Sequence, residues 1–209
     1  MIAKSMMDAK CIMNLGQLGK DYLEKYNIKS GKMLQIGGTA RDTKTGEFRK
    51  HREHHPFFFK LEYYSLDLEY DGSKNTIVGD ITNCPQISDN SYDFVFSSDT
   101  FEHIKEPWKA AKEMKRILKP GGICFIYTSF SWRYHAIPID YWRFTPQCLV
   151  FLFEGLECLE ANCDDRNRRQ DHRGGDQQEK YYDGVPLDNM GGFRENWRVY
   201  YVGHKKKKD

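Results

Sequence analysis

The chain has 209 residues, which at roughly 150 residues per domain makes one domain with decoration the default. Its 32 Lys and Arg against 30 Asp and Glu leave a net charge of +2, which argues against a protein held to nucleic acid by bulk charge. Aromatics at 14% exclude a disordered chain, and no apolar run approaches the roughly 20 residues of a bilayer span.

Residues 1–26 contain no long apolar stretch, so they do not read as a secretory signal. Six cysteines, at 11, 84, 124, 148, 158 and 163, form no CxxC pair, and several sit in apolar strand-like runs. Reduced, buried thiols are expected, and with them a reducing, cytoplasmic setting.

In chain order, residues 8–26 read as a helix, with Ile12, Leu15, Leu18, Tyr22 and Leu23 at helical spacing. Met33, Leu34 and Ile36 then form a short strand that stops at Gly37-Gly38. Residues 43–60 are basic and rich in histidine, and their periodicity selects no element. A second strand lies within 61–70, with Tyr64, Leu66 and Leu68 alternating, and a short third spans Thr76 to Asp80. The fourth, Tyr92 to Ser97, is apolar at its centre, as a central parallel strand must be. A helix is predicted from about Glu106 to Leu118, with Pro107 in its first turn and Lys115, Arg116 and Lys119 near its negative end. Pro120-Gly121-Gly122 stops it, and a fifth strand runs from Ile123 to Thr128. Beyond this point aromatic and charged residues mix. Residues 146–155 look helical, 155–163 strand-like, 164–184 a polar loop, and 197–203 a last strand. The Lys205–Lys208 run reads as a solvated tail. No internal repeat is present.

Alternating strands and helices imply an α/β fold with a mostly parallel sheet, whose ligand sits beyond the carboxyl ends of the strands. Those ends carry Gly37, Gly38 and Thr39, then Asp67, then Gly79-Asp80, then Ser97-Ser98-Asp99. Glycines let a ligand approach the backbone, a carboxylate accepts from a ribose diol, and a second accepts from an exocyclic amine. Together they describe a nucleoside pocket. Taken singly, two glycines in a turn and a carboxylate at a strand end are equally ordinary solvated features.

The stretch from Met33 to Gly122 resembles a class I S-adenosylmethionine-dependent methyltransferase of the small-molecule, methyltransferase-type-11-like kind. The matching pieces are MLQIGGT, YYSLDLE, IVGDI, SYDFVFSSDTFEHIKEP and EMKRILKPGG. The likeness continues through PIDYWRFTP to ENWRVYYVGHK. It implies a Rossmann-like fold with a seven-stranded, mostly parallel sheet, an antiparallel last strand and helices on both faces. It also implies one methyltransferase domain over 1–209, with a cofactor-binding core at 31–128, acceptor-facing segments at 129–197, a last strand at 197–204 and a basic tail at 205–209. S-adenosyl-L-methionine is the implied cofactor and S-adenosyl-L-homocysteine its product. By resemblance Gln35, Gly37, Gly38 and Thr39 line the methionine part, Asp67 and Leu68 the ribose, Asp80 and Ile81 the adenine. Ser97 lies near the sulfonium and His103 on the cofactor's open side.

There are departures from the family pattern. Gln35 stands where an acid is usual, and Thr39 where a glycine is. Ser97-Ser98-Asp99-Thr100 replaces the Asn/Asp-Pro-Pro-aromatic motif of enzymes that methylate base amines, which argues against a nucleic-acid acceptor. PIDYWRFTP resembles a branch associated with polysaccharide biosynthesis, which implies O-methylation of a carbohydrate hydroxyl. A fainter likeness is to the methyltransferase domain of larger glycan-building polypeptides in large algal viruses, where a deoxyhexose such as rhamnose is the implied acceptor and other domains are the implied partners.

Methyl transfer to a poorly acidic hydroxyl calls for a general base. The candidates are Asp99, His103, His135 and Asp140. Asp99 serves equally as a helix cap, His103 as a packing or cofactor-shielding group, and the other two as ordinary loop residues. Trp132, Tyr134, Tyr141, Trp142 and Arg143, with Trp197, form the candidate acceptor wall, and packing under a lid is the alternative for some of them. His51, His54 and His55 with Glu53 do not make a clean metal set, so no metal is expected, although one divalent ion on a carboxylate is compatible with this chemistry. Three rival readings stay open: methylation of another small molecule at O or N, a nicotinamide-dependent oxidoreductase, and a catalytically dead cofactor-binding module.

Overall fold

The computed structural model describes residues 18–19, 21–37, 61–70, 72, 74–131, 134, 139–163, 167–170, 193–196 and 198–207. Besides helical residues at 18–19 and 21–25, the elements are β1 Lys32–Ile36, β2 Glu62–Asp67, β3 Thr76–Val78, β4 Tyr92–Ser98, α1 Pro107–Ile117, β5 Leu118–Ser129, α2 Pro146–Leu152, β6 Glu157–Cys163, β7 Asn167–Gln170, β8 Phe193–Asn196 and β9 Arg198–His204. A 3-10 turn, Phe101–His103, follows β4. The histidine-rich segment and most of the predicted 8–26 helix lie outside the described residues, although 21–25 are helical as expected.

Seven strands form one sheet in the order β3-β2-β1-β4-β5-β9-β6. The β1–β2, β1–β4, β2–β3 and β4–β5 pairs are parallel. β9 lies antiparallel to both β5 and β6, so the last strand alone runs against the rest. The expected Rossmann-like architecture is therefore observed. The strand order reverses at β1 and β4, which places the switch-point crevice over their carboxyl ends.

Side chains alternate across the sheet and feed two cores. On one face Leu34, Ile36, Val95 and Ile126 join Ala110, Met114 and Ile117 of α1 and Leu149 of α2. On the other face Met33, Phe94, Phe96, Ile123 and Phe125 pack with Leu23 and, at its margin, Tyr22 and Tyr26. The Phe94, Phe96 and Phe125 rings stack along this second face. Burial on both faces is why β4 and β5 read as nearly continuous apolar runs.

Helix α1 starts on Pro107 and closes at Ile117, one residue earlier than the periodicity suggested. Leu118 turns extended at once and pairs with Tyr92, so Pro120-Gly121-Gly122 lies inside the span of β5. The register then shifts to Phe94 opposite Ile123, and the glycines absorb the extra residues, Gly121 at φ 88°. The carbonyl end of α1 is capped from the far end of the chain. Lys205 Nζ donates to the carbonyls of Lys115 and Leu118 at 2.7 and 2.6 Å and to Asn90 Oδ1 at 2.9 Å. An ammonium is the favoured group at a helix C-terminus. This corrects the reading of Lys205 as part of a solvated tail.

Residues 167–170, read from sequence as part of a polar loop, form β7, which pairs with β8. Asn167 faces Asn196 in this ladder, a two-stranded sheet separate from the seven-stranded one. The five described cysteines are free thiols. No described helix is long and apolar enough to cross a membrane.

Two local ties hold the strand ends. Between β3 and α1, Glu113 accepts from Arg116 at 2.7 Å, from the Cys84 thiol at 3.1 Å and from the Cys84 backbone N–H at 3.2 Å. Arg116 also reaches Asp89 at 2.7 Å. The Arg116 hydrogen bond, aided by those from Cys84, holds the Glu113 carboxyl down at about 2, whereas burial pushes the Cys84 thiol up to about 12. Between β1 and β4, Thr100 Oγ1 donates to the carbonyls of Ile36 at 3.2 Å and Ser98 at 3.0 Å, so its side chain lies against Gly37. Gly37 has φ 69°, and a Cβ built there would fall 2.3 Å from Thr100 Oγ1.

Both ties make predictions. Glu113 is ionised in the native state far below its ordinary value of 4.5, so the stability it contributes is present above pH 4.5 and is lost as pH falls from there toward 2. Urea titrations of wild type and Glu113→Gln are expected to differ at pH 7 and to converge as pH falls toward 2. A difference that stays constant with pH would refute the linkage. Gly37→Ala combines a left-handed backbone with the Thr100 clash and is expected to cost about 1–3 kcal/mol in chemical denaturation.

Candidate functional site

The predicted cofactor residues that are described lie at the carboxyl ends of four strands adjacent in the order β3-β2-β1-β4. At the end of β1, Gln35 is 3% exposed and accepts the Tyr63 hydroxyl at 2.9 Å. By alternation it points to the Phe94–Phe96 face, so its amide is committed to the core. Gly37 follows, its N–H donating to the Leu66 carbonyl at 2.9 Å. The space a side chain would take at 37 is filled by Thr100, so this glycine is demanded by protein packing whatever else approaches it. Gly38 and Thr39 lie outside the described residues.

At the end of β2, Asp67 is half-buried, and its Oδ1 accepts the N–H of the exposed Leu68 at 2.7 Å. After β3, Asp80 is exposed and its Oδ1 accepts the Thr82 N–H at 2.8 Å, an Asx turn that leads into the buried Ile81. At the end of β4, Ser97 lies between Ile36 and Ile126 in register. Its side chain is 0% exposed, and its Oγ is the only buried side-chain oxygen or nitrogen among the described residues without a hydrogen-bond partner. Such a group normally finds one, so an orphan hydroxyl at a strand tip is a reasonable mark of a ligand edge.

These residues fit an adenosyl cofactor by their chemistry. Two carboxylates end neighbouring strands, an apolar Ile81 adjoins the second, and an unsatisfied hydroxyl sits at the crevice. The acidic residue usual at position 35 is the part that is missing.

The four candidate bases sort differently. Asp99 is exposed, adopts φ 52°, and pairs through Oδ1 with Arg198 Nε at 3.0 Å. His103 is half-buried, and its Nδ1 lies 2.7 Å from the Ile139 carbonyl oxygen. A carbonyl only accepts, so Nδ1 carries hydrogen, and in the neutral ring the lone pair is on Nε2. The side chain of Asp140 is 1% exposed and holds Arg143 through both oxygens, Oδ2 to Nη2 at 2.7 Å. His135 lies outside the described residues.

Of the acceptor wall, Tyr134, Tyr141 and Trp142 are exposed, whereas Arg143 is half-buried and bound to Asp140. Trp142 donates Nε1–H to the Lys105 carbonyl at 3.3 Å and meets the exposed Trp108 edge to face at 6.2 Å between centroids. Trp132 and Trp197 lie outside the described residues. Among the described residues no three His, Cys, Asp or Glu side chains come together to hold a metal ion.

Two residues escaped sequence reasoning. Glu102 is a carboxylate of 0% exposure, accepting Thr128 Oγ1 at 2.7 Å and Ser129 Oγ at 2.8 Å. Its backbone carbonyl accepts the N–H groups of Tyr141 at 2.8 Å and Trp142 at 3.2 Å. Arg198 donates Nη1–H to Ser129 Oγ at 2.9 Å while its Nε holds Asp99. The signal for Glu102 was its place between the apolar Phe101 and the candidate base His103. Nothing local signals that residue 198 meets residue 99.

Residues 59–126 match the family model described as a methyltransferase domain. A 40-residue stretch is 40% identical to an uncharacterized methyltransferase of Mycobacteroides abscessus, and 39 residues are 38% identical to one of Mycolicibacterium gilvum; each match covers 19% of this chain and 15% of the relative's own length. Among solved structures, a chain named as a methyltransferase from Bacillus halodurans aligns with a TM-score of 0.55 at 13% identity, over 88% of this chain and 99% of that one. A chain named as a sarcosine dimethylglycine methyltransferase from Galdieria sulphuraria aligns with a TM-score of 0.58 at 16% identity, over 94% and 87%. With its strand order and its antiparallel last strand, the chain has the fold of class I methyltransferases, and residues 59–126 within it are similar to the methyltransferase-domain model.

Proposed function

We propose that the protein is an S-adenosylmethionine-dependent O-methyltransferase that acts on a hydroxyl of a sugar. The observation that carries the methyltransferase reading is the set of polar groups at four adjacent strand ends, with the buried Ser97 hydroxyl left unsatisfied among them.

When bound, the cofactor would supply a sulfonium-activated methyl carbon for in-line attack by an acceptor oxygen, the C–S bond breaking and the neutral thioether leaving. The chain's part is position and proton removal. Asp67 accepts from the ribose diol, Asp80 with Ile81 holds the adenine, and Ser97 hydrogen-bonds to the bound ligand. His103 is the favoured base. Its Nδ1–H is held by the Ile139 carbonyl, so in the neutral ring the lone pair that would take the acceptor proton is on Nε2. Asp99 shares an oxygen with Arg198 and then orients the acceptor, while Asp140 braces Arg143.

A sugar acceptor is supported by the charge pattern at the mouth. Asp99 and Asp140 each face an arginine, so the described carboxylates there are balanced. Exposed aromatics stand in the same segments, Tyr134, Tyr141 and Trp142 with Trp108 of α1, beside the exposed aliphatic Ile139. Aromatic faces with polar edges suit the apolar face of a neutral ring. This agrees with the resemblance of PIDYWRFTP to the polysaccharide-associated branch, in which other glycan-synthesis domains are the partners.

Two variants test the reading. Asp67→Ala is expected to weaken S-adenosylhomocysteine binding at least tenfold in calorimetry, because the diol loses its acceptor. Unchanged affinity would show that the crevice is assigned wrongly. His103→Asn is expected to lower kcat by on the order of 100-fold in a methyl-release assay on a glycan panel, with S-adenosylhomocysteine affinity preserved. Full activity would remove His103 as the base, and a wild type that binds the cofactor yet methylates no glycan would remove the sugar.

A further inference from the structure

The buried carboxylate of Glu102 has no part in the chemistry above, yet it sits next to His103 and is fully withdrawn from water. Burying an ionised carboxylate is costly unless it is well bonded and countered by opposite charge. Both oxygens are occupied, by Thr128 and Ser129 at the carboxyl end of β5. The countercharge arrives one bond further on. Ser129 Oγ donates to Glu102 Oε1 and accepts from Arg198 Nη1, so guanidinium and carboxylate face each other through a single hydroxyl. The same guanidinium turns its Nε to Asp99. One chain of hydrogen bonds therefore runs Thr128–Glu102–Ser129–Arg198–Asp99 and joins the 3-10 turn, β5 and β9.

The backbone of Glu102 makes a second junction. Its carbonyl accepts from Tyr141 and Trp142, and that stretch continues back to Ile139, whose carbonyl receives the His103 Nδ1–H. The ring of His103 is thus held between two parts of one clasp. Its backbone follows Glu102, and its imidazole is pinned to a segment that Glu102 also holds.

We propose that Glu102, countercharged by Arg198 through the Ser129 hydroxyl, is a positioning residue that sets the tautomer and direction of the His103 ring and the orientation of Asp99. Glu102 touches neither acceptor nor cofactor. This assignment rests on the reading of His103 as the base, and it accounts for a carboxyl group held at 0% exposure beside it.

The test has an arm that does not need turnover. In wild type, long-range proton–nitrogen NMR of the imidazole is expected to show the Nδ1–H tautomer of His103. Glu102→Gln keeps the shape but replaces one acceptor oxygen by a donor that opposes the Ser129 or Thr128 hydroxyl. It is expected to give mixed tautomers at His103, a kcat at least tenfold lower, acceptor KM within threefold, and S-adenosylhomocysteine affinity within twofold. Glu102→Asp, which keeps the charge, is expected to recover the single tautomer and part of kcat. Arg198→Met removes the countercharge and is expected to disturb the same resonance from the other end. Should Glu102→Gln not fold, Ser129→Ala cuts the link while leaving the carboxylate in place, with the same spectral change expected. A single Nδ1–H tautomer in every one of these variants would overturn the proposal. If wild type shows that tautomer but methylates nothing, the base assignment fails while the positioning geometry is still decided by the spectra.

Discussion

A strand buried on both faces can carry polar chemistry only at its ends. In this protein β1 and β4 lie at the middle of the sheet with an apolar cluster on each side. Their interior positions are accordingly Leu34, Phe94, Val95 and Phe96, with Gln35 of β1 a polar exception whose oxygen accepts the Tyr63 hydroxyl, and the first polar side chains beyond the apolar centre of β4 are Ser97, Ser98 and Asp99. Because the strands are parallel, those ends coincide at one edge of the sheet, next to Asp67 and Asp80 from the outer strands. The crevice is the place where the two-sided burial stops.

The same constraint explains what was legible in the residues alone. Apolar runs revealed β1, β4 and β5, and an apolar stripe behind Pro107 revealed α1, because burial dictates composition there. The strand-tip carboxylates could be read by position once the strands were known. The β7 strand, NRRQ, could not, since it has no apolar alternation and is paired only with β8. Lys205 looked like one more lysine of a charged tail, because a run of like charges carries no sign that one member turns inward to meet α1. Gly37 was read as room for a ligand, whereas its nearest neighbour is Thr100, sixty-three positions along the chain.

The most consequential gap concerns Glu102 and Arg198. A buried carboxylate is recognisable only through its surroundings, and those come from four separate stretches: the turn after β4, the end of β5, the segment at 139–144, and the first residue of β9. The antiparallel β9 is the strand that makes this meeting possible. Entering the sheet from the edge where the parallel strands end, it brings the side chain of its first residue to the crevice, where a parallel strand would have brought its last.

The docking of Lys205 has a practical corollary. Helix α1 runs counter to the parallel strands, so its carbonyl end, and with it residues 205–207, lies beneath the sheet, opposite the tryptophans at the mouth. A fluorophore or surface tether attached to the exposed Lys207 side chain would stand at that underside. Immobilised in this way, the protein would present its crevice outward to bulky ligands as readily as to small ones.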